Sequence, residues 1–273
     1  MHLLRLARAV AFGVACFAVG PPATALDLDQ VQKRGLLRVL VVRVAGHDEF
    51  FSIERRDPPG FDREVVEGFA ALQRLRLQVV PVRLWDELIP ALLAGRADMI
   101  AGRFTVTEER SKQIAFSREV FPTRPVVVTR RPTPRITSLE ALRQARVGTL
   151  RGSSLAEAVR RAGVPASKTD DTLAPGTLPA ALVKGQVEAI VLGIENAITA
   201  QRDDPQLELG LFLGEPGSLA YGLRQEDKAL LAALDRYLDA LRTAPSWSQL
   251  VVKYFGANAP EILKMARGDL DPR

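Results

Sequence analysis

A loop that follows an apolar run carries residues suited to binding an anionic group. The stretch 101–117 reads AGRFTVTEERSKQIAFS, with Thr105 and Thr107 one residue apart and Arg110 three residues further on. An arginine offers a planar fork that binds a carboxylate through two hydrogen bonds, and the Thr105 hydroxyl can add a third donor. Thr107 suits the N-cap of a short helix with Glu109 in its first turn. We predict that Arg110 binds an anion; a surface salt bridge is the alternative.

A second candidate anion site lies where a predicted strand passes into a helix, at Gly152-Ser153-Ser154. Exposed N–H groups and the positive end of the helix dipole bind anions there, and hydroxyl groups add donors. A serine N-cap would produce the same sequence. Both interpretations can hold together, because one serine can cap the helix while the other binds a ligand.

Strand-like and helix-like patterns alternate along the chain, and the alternation starts twice. The first series predicts strands at 36–42, 77–82 and 97–102 and helices at 61–75 and 85–95. The second predicts a capping box at Thr137–Glu140, strands at 146–150 and 187–193, and helices at 153–163 and 178–185. This order indicates two α/β units with mainly parallel sheets. The Pro-bounded segment 125–134 and the segment 214–224 are the predicted crossings, and two helices end the chain, the last at 246–256.

The first residues have the composition of an export signal. Arg5 and Arg8 precede the apolar run 9–19, and small residues around Ala25 suit cleavage. Cys16, the one cysteine of the chain, lies inside this leader, so the mature chain is expected to lack disulfides and thiolate metal sites. The formal charge of +5 comes without a dense basic run, which argues against nucleic-acid binding.

The residues do not predict an enzyme or a cofactor. His47 is the one histidine after the leader, and a lone histidine forms neither a catalytic triad nor a metal site. No Gly-rich phosphate-binding motif follows the first predicted strand. The paired acids Asp170-Asp171 and Asp203-Asp204 lie in loop-like stretches and are expected to be solvated surface residues.

Several segments, in order along the chain, resemble the extracytoplasmic solute-binding proteins, family 3, of polar amino-acid ABC transporters: 60–70, 85–100, 105–117, 147–154 and 182–191. In the second half, the segments 133–144, 152–159 and 213–223 also resemble the non-catalytic, solute-binding-like domain of membrane-bound lytic transglycosylase F. The resemblance implies an α/β fold, the periplasmic-binding-protein type II clamp of two lobes, each a mainly parallel sheet flanked by helices. It implies a first lobe at 26–127 joined by 223–273, and a second lobe at 128–222.

The resemblance also implies roles for individual residues. Arg110 matches the arginine that binds the α-carboxylate of the ligand, and Ser154 matches a hydroxyl that meets the same carboxylate from the second lobe. Phe50 or Phe51 matches the region of an aromatic that touches the ligand, although core packing fits equally. Arg103 stands where the family commonly has glycine or serine, so it binds a second anionic group or fills the pocket.

One position departs from the family pattern. Binders of α-amino acids commonly hold the ammonium with an aspartate where this chain has Gly193. Glu195 can substitute, or it is a solvated acid at the start of a helix. Because an ammonium without a carboxylate partner is costly in a closed cleft, a ligand without an amino group, such as an organic acid or a dicarboxylate, is also plausible.

The expected function is therefore that of a monomeric periplasmic binding protein. It would deliver an amino-acid-like or organic (di)carboxylic acid to the permease of an ABC importer. The alternative is a regulatory module of the cell envelope that binds a peptidoglycan fragment or a protein. A third hypothesis is an enzyme of the same shape with Glu195 as its acid.

Overall fold

The structure is a computed structural model that describes residues 28–45, 49–54 and 58–270. The predicted leader, including Cys16, and His47 lie outside the described residues. Among the helices of the described part, none combines the length and the apolar character needed to cross a bilayer.

Strands of the described chain form two five-stranded sheets and one two-stranded ribbon. Their bounds are β1 Leu36–Val42, β2 Arg76–Val82, β3 Met99–Ile100, β4 Ala115–Phe116, β5 Phe121–Thr123, β6 Pro125–Arg130, β7 Val147–Gly148, β8 Thr169–Asp170, β9 Ala189–Gly193, β10 Leu207–Phe212, β11 Gly217–Leu219 and β12 Gly222–Leu223.

Helices cover the faces of the sheets. They are α1 Leu28–Arg34, α2 Phe61–Leu72, α3 Leu88–Leu93, α4 Glu108–Ser111, α5 Leu139–Gln144, α6 Ser154–Arg161, α7 Leu178–Val183, α8 Ile194–Asp203, α9 Lys228–Thr243, α10 Pro245–Phe255 and α11 Ala259–Arg267.

Each five-stranded sheet is mixed. The first has the order β2-β1-β3-β12-β4 and the second β10-β6-β9-β7-β8. The strands that follow the α/β alternation pair in parallel, whereas the strands that carry the chain between the sheets pair antiparallel. We call the first sheet with its helices lobe 1 and the second sheet with its helices lobe 2. The second sheet takes up the chain at Pro125, and the first sheet resumes at Gly222.

Two antiparallel strands, β5 and β11, connect the lobes, with Leu219 opposite Phe121. Phe121 is fully buried in a cluster of aromatic rings. Its ring centroid lies 4.7 Å from that of Phe255, 5.5 Å from Phe61 and 6.3 Å from Phe50. These contacts attach the connecting ribbon to lobe 1.

The core strands form where apolar residues are continuous. In β1, Leu37, Val39, Leu40 and Val41 are all buried, as expected for a strand covered on both faces by helices. The predicted helix 85–95 is divided: a 3-10 turn, Trp85–Glu87, precedes α3, and Pro90 is the third residue of that helix, where its missing N–H costs least.

Three sequence predictions need correction. Ser138 caps α5 in place of Thr137, and its hydroxyl accepts a hydrogen bond from the Ala141 N–H at 3.2 Å. The helix at 246–256 is not the last, because α11 follows it and packs against β5 and α8. Mainly parallel sheets were predicted, whereas each sheet is mixed. The strands β4, β6, β10 and β12 pair antiparallel, so parallel pairing covers only part of each sheet.

We expect Phe121→Ala to lower the free energy of unfolding by about 3–5 kcal/mol, because it leaves a cavity among the aromatic rings. Leu72→Ala, on the exposed face of α2 where the leucine is 63% exposed, is the control and should change stability by less than about 0.5 kcal/mol. Urea unfolding of both variants measures this. Equal losses in the two would contradict the role given to the aromatic cluster.

Candidate functional site

A cavity of about 360 Å³ lies between the two lobes. Lobe 1 contributes Arg103 and Thr105 to its lining, and lobe 2 contributes Ser153, Ser154 and Glu195. Five of the seven residues predicted from the sequence therefore line one cavity.

Arg103 is held in an unusual backbone conformation. Gly102 and Arg103 have φ angles of 80° and 60°, in the left-handed region that residues other than glycine seldom adopt. The Asp62 carboxylate accepts hydrogen bonds from both N–H groups, at 3.0 and 2.9 Å. Such a conformation costs on the order of 1–3 kcal/mol and persists where neighbours enforce it. Asp62 therefore fixes the backbone turn that sets the direction of the Arg103 side chain.

Asp62 is a site residue that the sequence analysis missed. An acid in the first turn of a helix is usually a solvated partner of the helix dipole. Here it is buried, at 3% exposure, and the Tyr221 hydroxyl lies 3.4 Å from its carboxylate. The sequence gives only a weak signal for this role. Gly102-Arg103 is compatible with a tight turn, but a tight turn does not indicate which acid, forty residues away, accepts its N–H groups.

Phe50 lies behind Arg103, in the core of lobe 1. It is 1% exposed and packs against Phe61 and Phe255. The Arg103 guanidinium lies 5.5 Å from its ring centroid. Phe51 is equally buried. The prediction that one of these rings touches the ligand is at odds with this placement, and core packing, the alternative, accounts for both.

Glu195 is a buried acid, not a solvated one. It is the second residue of α8 and is 3% exposed. Thr123 of the connecting strand donates a hydrogen bond to its Oε2 at 2.8 Å. Burial raises the pKa of Glu195, against the lowering effects of its own backbone N–H, Thr123 and the Arg103 charge.

Gly193 explains how the Glu195 carboxylate reaches the cavity. A Cβ atom at position 193 would lie 2.2 Å from Oε1 of Glu195, so a side chain there would require the Glu195 carboxylate to move. The carboxylate therefore folds back over the glycine. Glu195 supplies a carboxylate at the position where the sequence analysis found the family's aspartate missing.

The two serines divide their roles. Ser153 is the N-cap of α6: its hydroxyl accepts from the Ala156 N–H at 3.1 Å and donates to the Leu150 carbonyl at 2.6 Å. The Ser154 hydroxyl instead donates to the Thr105 hydroxyl at 2.9 Å, which joins lobe 2 to lobe 1.

Arg110 lies between the lobes, next to the cavity and outside its lining. It is 9% exposed, and its guanidinium donates to the carbonyls of Thr105, at 2.9 Å, and Gly152, at 3.2 Å. It also stacks on the Phe104 ring at 4.2 Å. Burial lowers the pKa of Arg110 to about 10, so it remains a cation at neutral pH. Thr107 caps α4 as predicted, accepting from the Arg110 N–H.

Further contacts hold the lobes together around the cavity. Arg161 pairs with Glu109 at 3.0 Å and Arg202 with Glu49 at 2.9 Å, but such exposed pairs contribute little stability. Gly152 permits a close approach of the lobes, because a Cβ there would lie 2.7 Å from the Asp86 backbone nitrogen. The structure thus describes a closed arrangement of the two lobes.

Residues 40–257 match the model of the bacterial extracellular solute-binding proteins, family 3. The chain belongs to this family. Its two mixed sheets with paired connecting strands are the type II periplasmic-binding-protein fold. The helix α11 lies beyond the matched residues.

Among curated proteins, the chain is similar to membrane-bound lytic murein transglycosylase F. The protein from Maricaulis maris is 31% identical over 79% of this chain and 48% of its own length. The protein from Pseudomonas putida KT2440 is 26% identical over 84% of this chain and 48% of its own length. The chain thus spans about half the length of the curated relatives it matches.

Among solved structures, the chain is similar to amino-acid-binding proteins. The P235GK mutant of ArgBP from T. maritima superimposes with a TM-score of 0.74, at 26% identity, and covers 84% of this chain and 98% of its own. The arginine-bound form of truncated ArgBP gives a TM-score of 0.69, also at 26% identity, over 78% of this chain and 99% of that one.

The buried carboxylate predicts how stability depends on pH. Because the folded pKa of Glu195 is raised above its ordinary value of 4.5, the folded state binds this proton more readily than the unfolded chain. The wild type therefore loses stability relative to Glu195→Gln as pH rises from about 4.5 through the folded pKa. We expect the Gln variant to unfold at higher urea concentration at pH 8, with a smaller advantage toward pH 4.

Glu188→Gln is the matched control, since the backbone N–H of Arg146 lowers the pKa of this largely exposed carboxyl. Its stability difference from the wild type should change with pH in the opposite direction. The same pH trend in both variants would contradict the burial argument.

Proposed function

We propose that the chain is a periplasmic solute-binding protein whose cleft holds a small amino-acid-like solute. The single observation that supports this most is the pairing of opposite charges across one cavity, Arg103 on lobe 1 and Glu195 on lobe 2. An α-amino acid carries a carboxylate and an ammonium at its two ends, so it can contact both. Binding it would bring a group of opposite charge to each of these two side chains.

The carboxylate end of the solute would lie at Arg103, Thr105 and Ser154. The hydroxyls of Thr105 and Ser154 are 2.9 Å apart, and each can turn toward a carboxylate oxygen when the solute enters between them. Arg110 adds positive charge directly behind this pair. Its two bonds to backbone carbonyls hold Thr105 and Gly152 in place, which gives it a positioning role for a solute of this size.

The ammonium end would lie at Glu195. A buried carboxylate next to Gly193 supplies the anionic partner that an ammonium needs in a closed cleft. A dicarboxylate would instead bring a second negative charge beside Glu195, and like charges in one buried site are unfavourable. The geometry therefore favours an amino acid over the organic acid that Gly193 alone suggested.

The neighbours in structure support the same class of solute. ArgBP from T. maritima, at 26% identity, is named for arginine and has been solved bound to arginine. We propose that this chain binds its solute without transforming it, is exported through the leader at 1–25, acts as a monomer and passes the solute to an ABC permease.

A second candidate function is supported by the curated relatives. They are named lytic transglycosylases, and the chain matches about half of their length, in the solute-binding-like part. On this hypothesis the same cleft would bind a peptidoglycan fragment or a protein and report it to a cell-envelope partner. A co-purifying protein, with no response to free amino acids, would favour this function.

Isothermal titration with the twenty amino acids and with C4 to C6 dicarboxylates tests the proposal. We expect at least one amino acid to bind in the micromolar range or better, and Arg103→Ala to weaken it at least about tenfold through loss of a charge-assisted hydrogen bond. Arg118→Ala, at an exposed arginine of lobe 1, is the control and should bind normally. If no amino acid binds the wild type, the proposal is wrong.

The position of the carboxylate gives a sharper prediction. Glu195→Ala should lower amino-acid affinity about 10- to 100-fold, because an ammonium loses its partner in a buried site. The double variant Gly193→Asp with Glu195→Ala moves the carboxylate two residues and should recover much of the loss. Gly193→Asp alone should bind more weakly than the wild type, since its Cβ displaces the Glu195 carboxylate from its observed position and a second negative charge lies beside it. Unchanged affinity in Glu195→Ala would remove this residue from the site.

A further inference from the structure

We propose that the natural ligand extends past Ser154 into a second cavity, as a short peptide whose amino group lies at Glu195 and whose terminal carboxylate lies at Arg110. This inference rests on the proposed function and narrows its substrate class from a single amino acid to an amide-linked pair.

The second cavity adjoins the first and is larger. It measures about 570 Å³ and lies between α4 of lobe 1 and α6 of lobe 2. Ser153 and Ser154 line both cavities, so the two spaces meet at the start of α6. The hydrogen bond between Ser154 and Thr105 crosses this junction. A ligand that replaced this bond with bonds to its own peptide group would occupy both cavities.

Arg110 lines the second cavity, not the first. Its neighbours explain why it is suited to an anion there. The acids around this cavity each have an arginine partner of their own: Glu109 with Arg161, Glu157 with Arg160, and Asp171 with Arg151. Arg110 is held by two backbone carbonyls, which carry no net charge. A carboxylate that entered this cavity would neutralise a cation that is nine-tenths buried.

A buried hydroxyl supports the same conclusion. Thr149 is fully buried and lines the second cavity, and its Oγ1 has no hydrogen-bond partner among the residues that the structure describes. Buried polar groups without partners are uncommon because each is costly. A ligand carboxylate or carbonyl would give this hydroxyl the acceptor that the protein does not provide.

Part of the remaining wall is apolar. Ala156, Val159, Val164 and Ala166 supply a short apolar surface beside Arg110 and Thr149. An apolar side chain can pack on this surface without losing hydration of a charge. The second residue of the peptide is therefore expected to be apolar, and alanine is the simplest probe of this position.

The experiment compares three amino acids with their alanyl extensions: arginine with arginyl-alanine, glutamine with glutaminyl-alanine, and alanine with alanyl-alanine. Each dipeptide is also used as its C-terminal amide, which lacks the free carboxylate. Isothermal titration on the full chain should show at least one dipeptide binding about tenfold or more tightly than its free amino acid. The amide should lose this gain, because it presents no anion to Arg110.

Two variants test the second cavity without touching the first. Thr149→Val keeps the shape of the side chain and removes a hydroxyl that has no described partner, so folding stability should be unchanged or higher. It should weaken the dipeptide about tenfold and leave the amino acid unaffected. Ala156→Phe fills the cavity and should exclude the dipeptide alone.

The outcomes separate this inference from the proposed function. If an amino acid binds, its dipeptide binds no better, and both variants behave as the wild type does, the inference is wrong and the proposed function stands. If neither amino acids nor dipeptides bind, both fail.

Discussion

The character of the cleft depends on one buried carboxylate. Glu195 lies at the start of α8 with almost no exposure, and burial of its charge is costly unless it has suitable partners. The protein meets this requirement in part, with the Thr123 hydroxyl and the positive end of α8. Arg103 across the cavity adds an opposite charge. A solute with an ammonium group would complete the set.

Several elements of the fold serve this arrangement. Gly193 leaves the space that the Glu195 side chain occupies, and Thr123 holds that side chain from the connecting strand β5. On the other lobe, Asp62 forces Arg103 into a left-handed turn that directs it at the cavity. The same strand β5 carries Phe121, which anchors it in the aromatic cluster of lobe 1. The site and the connection between the lobes therefore share residues, and closure of the lobes brings the opposite charges together.

Much of the fold follows from local patterns. The apolar run of β1 and the spacing of α2 predict their type and position within a few residues. The mixed pairing of the sheets was not predictable in this way, because a two-residue strand such as β12 has no pattern of its own. Its place between β3 and β4 depends on residues more than one hundred positions away. The additional helix α11 was missed for a related reason, since 246–256 looked like a natural end.

The same distinction, between local pattern and tertiary packing, applies to the residues of the candidate site. The sequence by itself determined which residue types could meet an anion, including Thr105, Arg110 and Ser154, because hydroxyls and guanidinium groups near strand ends suit that chemistry. Arg103 became a candidate only through the resemblance to the family. Only the tertiary structure decided that Glu195 is buried over Gly193, that Phe50 is a core residue and that Arg110 faces the second cavity. Burial and direction depend on packing between the lobes, and spacing along one chain contains no information about which side chain lies opposite.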